Sequence, residues 1–315
     1  MPTFIRNTLR LFEPKKHAAI LLGFSLLTTP LHAQTTADVT EGTSFLQDIG
    51  ASQRIDFSGK LRMLSQRIVA AGCNYTAGID PDRSGPALEA AKAEFQVIVD
   101  ALEFGNDDLG IIGAEERRKT LVGLSKLREL WEPAATSGAT ILADTATPET
   151  VATFADQSAP LLEMAKLLVS EISAQYSDPT ALLQADALII DIAGRQRMLS
   201  QRMSKNVCLI ASGLNTDVAT AELSATANIF DVSLNALRHG LAESGIKPPP
   251  NDDIVAGLDV VIGDWANLRP IVDAAIAGQP IDAEQRDIMF NGANTMTGNM
   301  NTVVGMYSTA SKLGL

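Results

Sequence analysis

The chain has 315 residues, 46% of them hydrophobic and only 5% aromatic, with a formal net charge of −12. That length suggests two domains. So acidic a chain is poorly suited to nucleic acid or anionic membrane surfaces, and its two cysteines and three histidines exclude a disulfide scaffold, a metal centre or a histidine-based catalytic set. No cofactor is implied, and any site for an anion must be a local basic pocket in an unfavourable overall field.

The N-terminus reads as a secretory signal peptide. Arg6, Arg10, Lys15 and Lys16 form a basic region, and Ala18 to Leu27 form an apolar run too short to span a bilayer comfortably. Leu31-His32-Ala33 then offers small-residue cleavage before Gln34. The reading is cleavage near Ala33 and a periplasmic location; the alternative is an uncleaved anchor. Residues 1–33 carry four basic residues and one acidic one, so the remainder is more acidic still, about −15. With His17 and His32 in that segment, only His239 remains, near a predicted helix end.

The segment Asp56 to Cys73, DFSGKLRMLSQRIVAAGC, matches Asp191 to Cys208, DIAGRQRMLSQRMSKNVC, at nine of eighteen positions and an offset of 135. Weaker echoes follow: Leu130-Trp131-Glu132-Pro133 against Asp264 to Pro270, and Phe154 to Ser173 against Phe290 to Ser308. The predicted division is a signal peptide at 1–33 and two copies of one unit at 34–178 and 179–315.

Each unit is predicted to hold four helices. In the first unit they run from Thr40 to Thr76, Ala87 to Phe104, Ala114 to Leu142 with Pro133 as a kink or break, and Thr147 to Tyr176. Gly78 to Pro86 separates the first two and Gly105 to Gly110 turns the chain to the third. Thr147 suits an N-cap, with Glu149 in the first turn. Ser177 to Thr180 closes the unit, and Lys247 to Asp253 is the clearest interior loop of the second. The fold class is therefore all-α: two tandem up-down four-helix bundles. An even number of antiparallel helices brings the chain back to its starting end. The two first helices should then run parallel, as a covalent pair about a pseudo-two-fold axis.

Phe57, Leu61, Leu64, Ile68, Ala71 and Tyr75 form an apolar seam for their own bundle. Gly59, Arg62 and Gln66 form a second stripe beside it, and Gly194, Arg197 and Gln201 do the same in the second unit. A glycine inside a helix costs about 1 kcal/mol against alanine. Close approach of another backbone is one reason to keep it. If the stripes meet, Arg62 faces Arg197, and a small planar oxyanion can relieve their repulsion by accepting paired hydrogen bonds from each fork. Ser65, Ser200, Gln66 and Gln201 are candidate further donors. Arg67 and Arg202 point about 140° away from the first arginines. The plainer reading is a solvated, packing-preserving repeat, with Asp56–Lys60 and Asp191–Arg195 as i,i+4 pairs.

Ser58 to Ala70 and Ala193 to Lys205 resemble the sensory segment of the PilJ/NarX-type domain. That domain is the periplasmic input module of nitrate/nitrite sensor kinases and the N-terminal part of type IV pili methyl-accepting chemotaxis transducers. The resemblance implies a four-helix bundle with nitrate held at a dimer interface between first helices. Carried onto this chain it implies Gly59 and Gly194 at the crossing and Arg62 and Arg197 as anion ligands. Phe57 and Ile192 stand where the kinase sensors have a lysine, so Lys60 and Arg195 are compensating candidates if they turn inward. With no kinase or methyl-accepting segment present, the implied protein is a sensory module acting alone. It would bind nitrate or nitrite and signal to a membrane sensor kinase, transducer or transporter. The alternative is a ligand-free interaction module of a pilus, chemotaxis or envelope signalling system. No nucleophile–base pair, metal set or phosphate loop suggests an enzyme.

Cys73 and Cys208 lie about fourteen residues, or about 21 Å, beyond the proposed crossing. If the first helices diverge from that crossing, the two cysteines are buried free thiols; a bridge is the alternative.

Overall fold

The structure is a computed structural model that describes residues 40–176 and 184–314. The predicted signal peptide with its cleavage point, and the Ser177–Thr180 junction, lie outside those residues. The regular elements described are eight α-helices and two single 3₁₀ turns. The first bundle holds α1 (Thr40–Thr76), α2 (Pro81–Phe104), α3 (Arg118–Leu142) and α4 (Pro148–Tyr176). The second holds α5 (Gln184–Ala211), α6 (Thr216–His239), α7 (Asp252–Ile276) and α8 (Ala283–Lys312). Among the described residues no helix is long and apolar enough to cross a membrane.

The first break is shorter than Gly78 to Pro86. Pro81 opens α2 at a position whose N–H needs no partner, so it starts a helix rather than ending one. The chain turns at Ala77–Asp80 alone, with Gly78 and Asp80 both at positive φ. The predicted start of α3 at Ala114 moves to Arg118, because residues 105–117 are taken up by a 3₁₀ turn and a single bridge between Asn106 and Ile111. The second bundle repeats that device with Leu241 and Ile246. Pro133 does not break α3. Thr147 caps α4, its hydroxyl accepting from the Thr150 amide at 3.3 Å.

The predicted seam is the core of the first bundle: Leu61, Leu64, Ile68 and Ala71 are fully buried. The repeated tryptophans serve the same role in both units. Trp131 stacks on Phe95 with its indole N–H donating to Gln96, and Trp265 meets Phe230 while donating to Asp231. The second seam departs from the first in chemistry. Gln196 and Asn206 occupy the places of Leu61 and Ala71; both are fully buried, and their amide groups find no hydrogen-bond partner among the described residues.

The two bundles join through α1 and α5, which run parallel as the helix count requires. Cys73 and Cys208 are bridged by a disulfide, with 6.2 Å between their Cα atoms. The expectation of two free thiols is therefore wrong. It assumed helices that diverge beyond the arginines, whereas α1 and α5 stay side by side to their C-terminal ends. A reciprocal pair of contacts holds the same end. Asn291 of α8 donates to Asp80 at 3.0 Å, and Asn215 donates to Asp156 of α4 at 2.8 Å. Asp80 and Asn215 are equivalent at the offset of 135, as are Asp156 and Asn291. The contact is thus one pseudo-symmetric interaction with acid and amide exchanged.

Candidate functional site

Arg62 sits on α1 and Arg197 on α5, each on the side that faces the other bundle. Both are almost wholly buried, at 7% and 5% exposure. Each side chain folds back toward the glycine one turn earlier: Arg62 Nε donates to the Gly59 carbonyl at 3.5 Å, and Arg197 Nε to that of Gly194 at 3.3 Å. The point where a Gly194 Cβ would stand is 3.4 Å from Arg197 Nη2 and 3.9 Å from Arg62 Nη2. The two terminal nitrogens therefore lie within about 7 Å of one another, over a single glycine.

Within 4 Å of the Cβ position of Gly59 or Gly194 there is no backbone of the other bundle; guanidinium nitrogens lie there instead. A methyl group would just touch them, and anything larger would push an arginine out.

Each arginine is engaged by the opposite repeat. Arg62 Nη1 donates to Asp191 Oδ1 at 3.1 Å. Arg197 Nη2 stands 3.8 Å from Asp56 Oδ1. The pair is pseudo-symmetric, since Asp56 and Asp191 are equivalent residues. It is also unequal, because Arg197 Nη1 has a neutral partner as well, Asn301 Oδ1 on α8 at 2.6 Å. The equivalent position in the first repeat is Lys166, a donor that cannot serve Arg62 and instead pairs with Glu163. Burial pulls the Arg197 guanidinium below its ordinary value; Arg62 pulls it further, while Asp56 and Glu94 oppose both. The two arginines are thus within each other's field, as Coulomb repulsion in a poorly solvated site requires.

Neither Nη2 makes a hydrogen bond among the described residues. Two sets of charged N–H donors therefore converge on one small volume.

The remaining predicted residues go elsewhere. Ser65 and Ser200 donate to backbone carbonyls of their own helices, at Arg62 and Gln196. Gln66 donates to the Ser158 carbonyl of α4, and Gln201 to Ala293, Asn294 and Thr297 of α8. All four side chains thus sit inside their own bundles. Lys60 turns to Glu94 at 3.6 Å and lies over the Phe57 ring, so the predicted Asp56–Lys60 pair does not form. Arg195 pairs with Asp191 at 2.6 Å as expected and stays half-exposed. Arg202 bonds Glu222, which also holds Lys205 at 2.7 Å. Arg67 has no such acid, since Ala87 stands where the second repeat has Glu222. The residues that sequence reasoning missed are Asp56 and Asp191 as cross-repeat partners, and Asn301.

The model of the PilJ family, described as the N-terminal domain of type IV pili methyl-accepting chemotaxis transducers, matches residues 47–156 and 180–289. The chain belongs to the PilJ family. Its two PilJ units correspond to the two bundles, and each matched span contains one RMLSQR segment. A PilJ unit is a sensory, transducer-type module of chemotaxis and type IV pilus signalling. No curated protein matches this PilJ chain.

Proposed function

We propose that this tandem PilJ protein is a periplasmic sensor of a small oxyanion, nitrate or nitrite. Arg62 and Arg197 would hold the anion between the two repeats and pass its occupancy to a membrane signalling partner. The observation that carries this reading is the convergence, over Gly194, of the Nη2 groups of two buried arginines, neither of them hydrogen-bonded among the described residues. A planar oxyanion can accept from both forks at once, and its charge would remove the repulsion that burial aggravates. The resemblance of both RMLSQR segments to nitrate-sensor segments supports the same choice of ligand class. In sensors of dimeric type such a site needs two chains; here one chain would supply both halves.

Binding at a contact shared by two bundles changes how they pack, which is the means by which a ligand shifts a conformational equilibrium. Titration calorimetry with sodium nitrate tests the reading. It predicts one site per chain, lost in Arg62→Ala and in Arg197→Ala. Heat indistinguishable from a sodium chloride blank would leave the ligand-free interaction module as the function.

A further inference from the structure

The carboxylates that face the arginines have a consequence for which anions can enter. We propose that Asp56 and Asp191 are tethered competitors for Arg197 and Arg62, and that they restrict the site to monovalent oxyanions. The inference rests on the anion reading above and deepens it.

Arg62 and Arg197 bring two positive charges; Asp56 and Asp191, from the opposite repeats, bring two negative ones. An anion that takes paired hydrogen bonds from each fork must share Arg62 Nη1 with Asp191, now at 3.1 Å, and Arg197 Nη2 with Asp56, now at 3.8 Å. Neither carboxylate can leave. Each is fixed to its helix within a few ångströms of the ligand, and Asp191 is held by Arg195 as well, at 2.6 Å. The displaced carboxylates therefore repel whatever sits between the arginines, and this repulsion doubles for a dianion. Both are partly exposed, at 46% and 33% of the side chain. They can swing aside into water for a monovalent ligand. They still form a negative rim that sulfate or hydrogen phosphate must pass.

Asn301 marks the asymmetry. It binds Arg197 through a neutral oxygen, so that contact orients the guanidinium without consuming its charge. Arg197 is thereby the fixed half of the site and Arg62, bonded to a carboxylate, the half that must be exchanged.

The test is titration of the protein without residues 1–33, the predicted signal peptide, with sodium nitrate and sodium sulfate. Asp191→Asn should bind nitrate at least tenfold more tightly, and Asp56→Asn/Asp191→Asn should gain sulfate binding that the parent lacks. Asn301→Asp, at an exposed position where folding is not at stake, adds a third carboxylate and should weaken nitrate at least tenfold. If the parent binds nitrate and all three variants stay within twofold of it, tethered competition is wrong while the anion site stands. If the parent binds sulfate as well as nitrate, the charge restriction is wrong. If neither parent nor variants bind any anion, both this inference and the site beneath it fall.

Discussion

Cys73 and Cys208 stand 135 residues apart in the chain and are joined, at equivalent positions of the two repeats, by a disulfide between α1 and α5. The bridge lies on the pseudo-two-fold axis, and it pins the C-terminal ends of the same helices that carry the arginines. Any change at Arg62 and Arg197 is then a change about a fixed far point.

These are the only two cysteines in the chain, so the oxidised protein should show no reactive thiol even in denaturant. Closing so long a loop restricts the unfolded chain strongly. Reduction, or Cys73→Ala/Cys208→Ala, should cost about 2–5 kcal/mol of stability. Chemical unfolding with and without reductant measures it, and two thiols titrating in the untreated denatured protein would contradict the bridge.

Glu222 is the carboxylate on which the buried Lys205 and the partly buried Arg202 depend. Burial alone would raise it, but Lys205 and Arg202 outweigh burial and hold it at about 2. Lys205, itself buried, is pulled below its ordinary value by desolvation, so its charge is sustained chiefly by Glu222. A carboxylate whose folded value is depressed stabilises the fold above its unfolded value of about 4.3 and loses that contribution as pH falls toward 2. Stability should therefore decline from about pH 4.5 to pH 2. In Glu222→Gln that part of the decline should vanish, at a cost at neutral pH of about 3–5 kcal/mol for leaving the buried Lys205 uncompensated. Urea midpoints at a series of pH values decide the matter.

Gln196 occupies a core position that the first repeat fills with Leu61, and its amide finds no partner there. Replacing an unsatisfied buried amide by an apolar group of similar volume removes a penalty of about 1–3 kcal/mol. Gln196→Leu should raise the unfolding midpoint by several degrees, as calorimetry would show. A lowered midpoint would mean that the amide has a role in the bundle that its contacts do not reveal.

Gly194 separates the steric from the conformational role of the repeated glycine. An added methyl meets only ordinary contacts at 3.4 and 3.9 Å. Gly194→Ala should therefore fold at least as well, with a helix-propensity gain of up to about 1 kcal/mol. Gly194→Leu would occupy the volume of the guanidinium groups and should abolish the nitrate response while preserving helicity by circular dichroism.

The repeat carried most of what was legible. Nine identities in eighteen positions located α1 and α5, and counting helices fixed their parallel run and brought Arg62 to Arg197. The aspartates were not legible as partners. Asp56 and Asp191 stand four residues before Lys60 and Arg195, and that spacing alone favours a local pair. Only the packing of α1 on α5 shows that Asp56 faces Arg197 instead. Ser65 and Gln66 turn away from the arginines for a similar reason. They adjoin Arg62 in the chain, but at 100° per residue they lie about 60° and 40° to either side of it, far enough round to enter their own bundle. The disulfide depended on whether two parallel helices diverge over about 21 Å, a quantity that no local pattern encodes.

Thermal unfolding of the protein in nitrate, nitrite, sulfate and chloride at matched ionic strength, repeated on Arg62→Ala and Arg197→Ala, tests the shared site most directly. A ligand at a hundred times its dissociation constant adds about 2.7 kcal/mol, a shift on the order of 5 °C for a protein of this size. The account predicts that shift with nitrate or nitrite, none with sulfate, and its loss in both variants. Superimposable curves in all four salts, or a nitrate shift that survives either substitution, would contradict it.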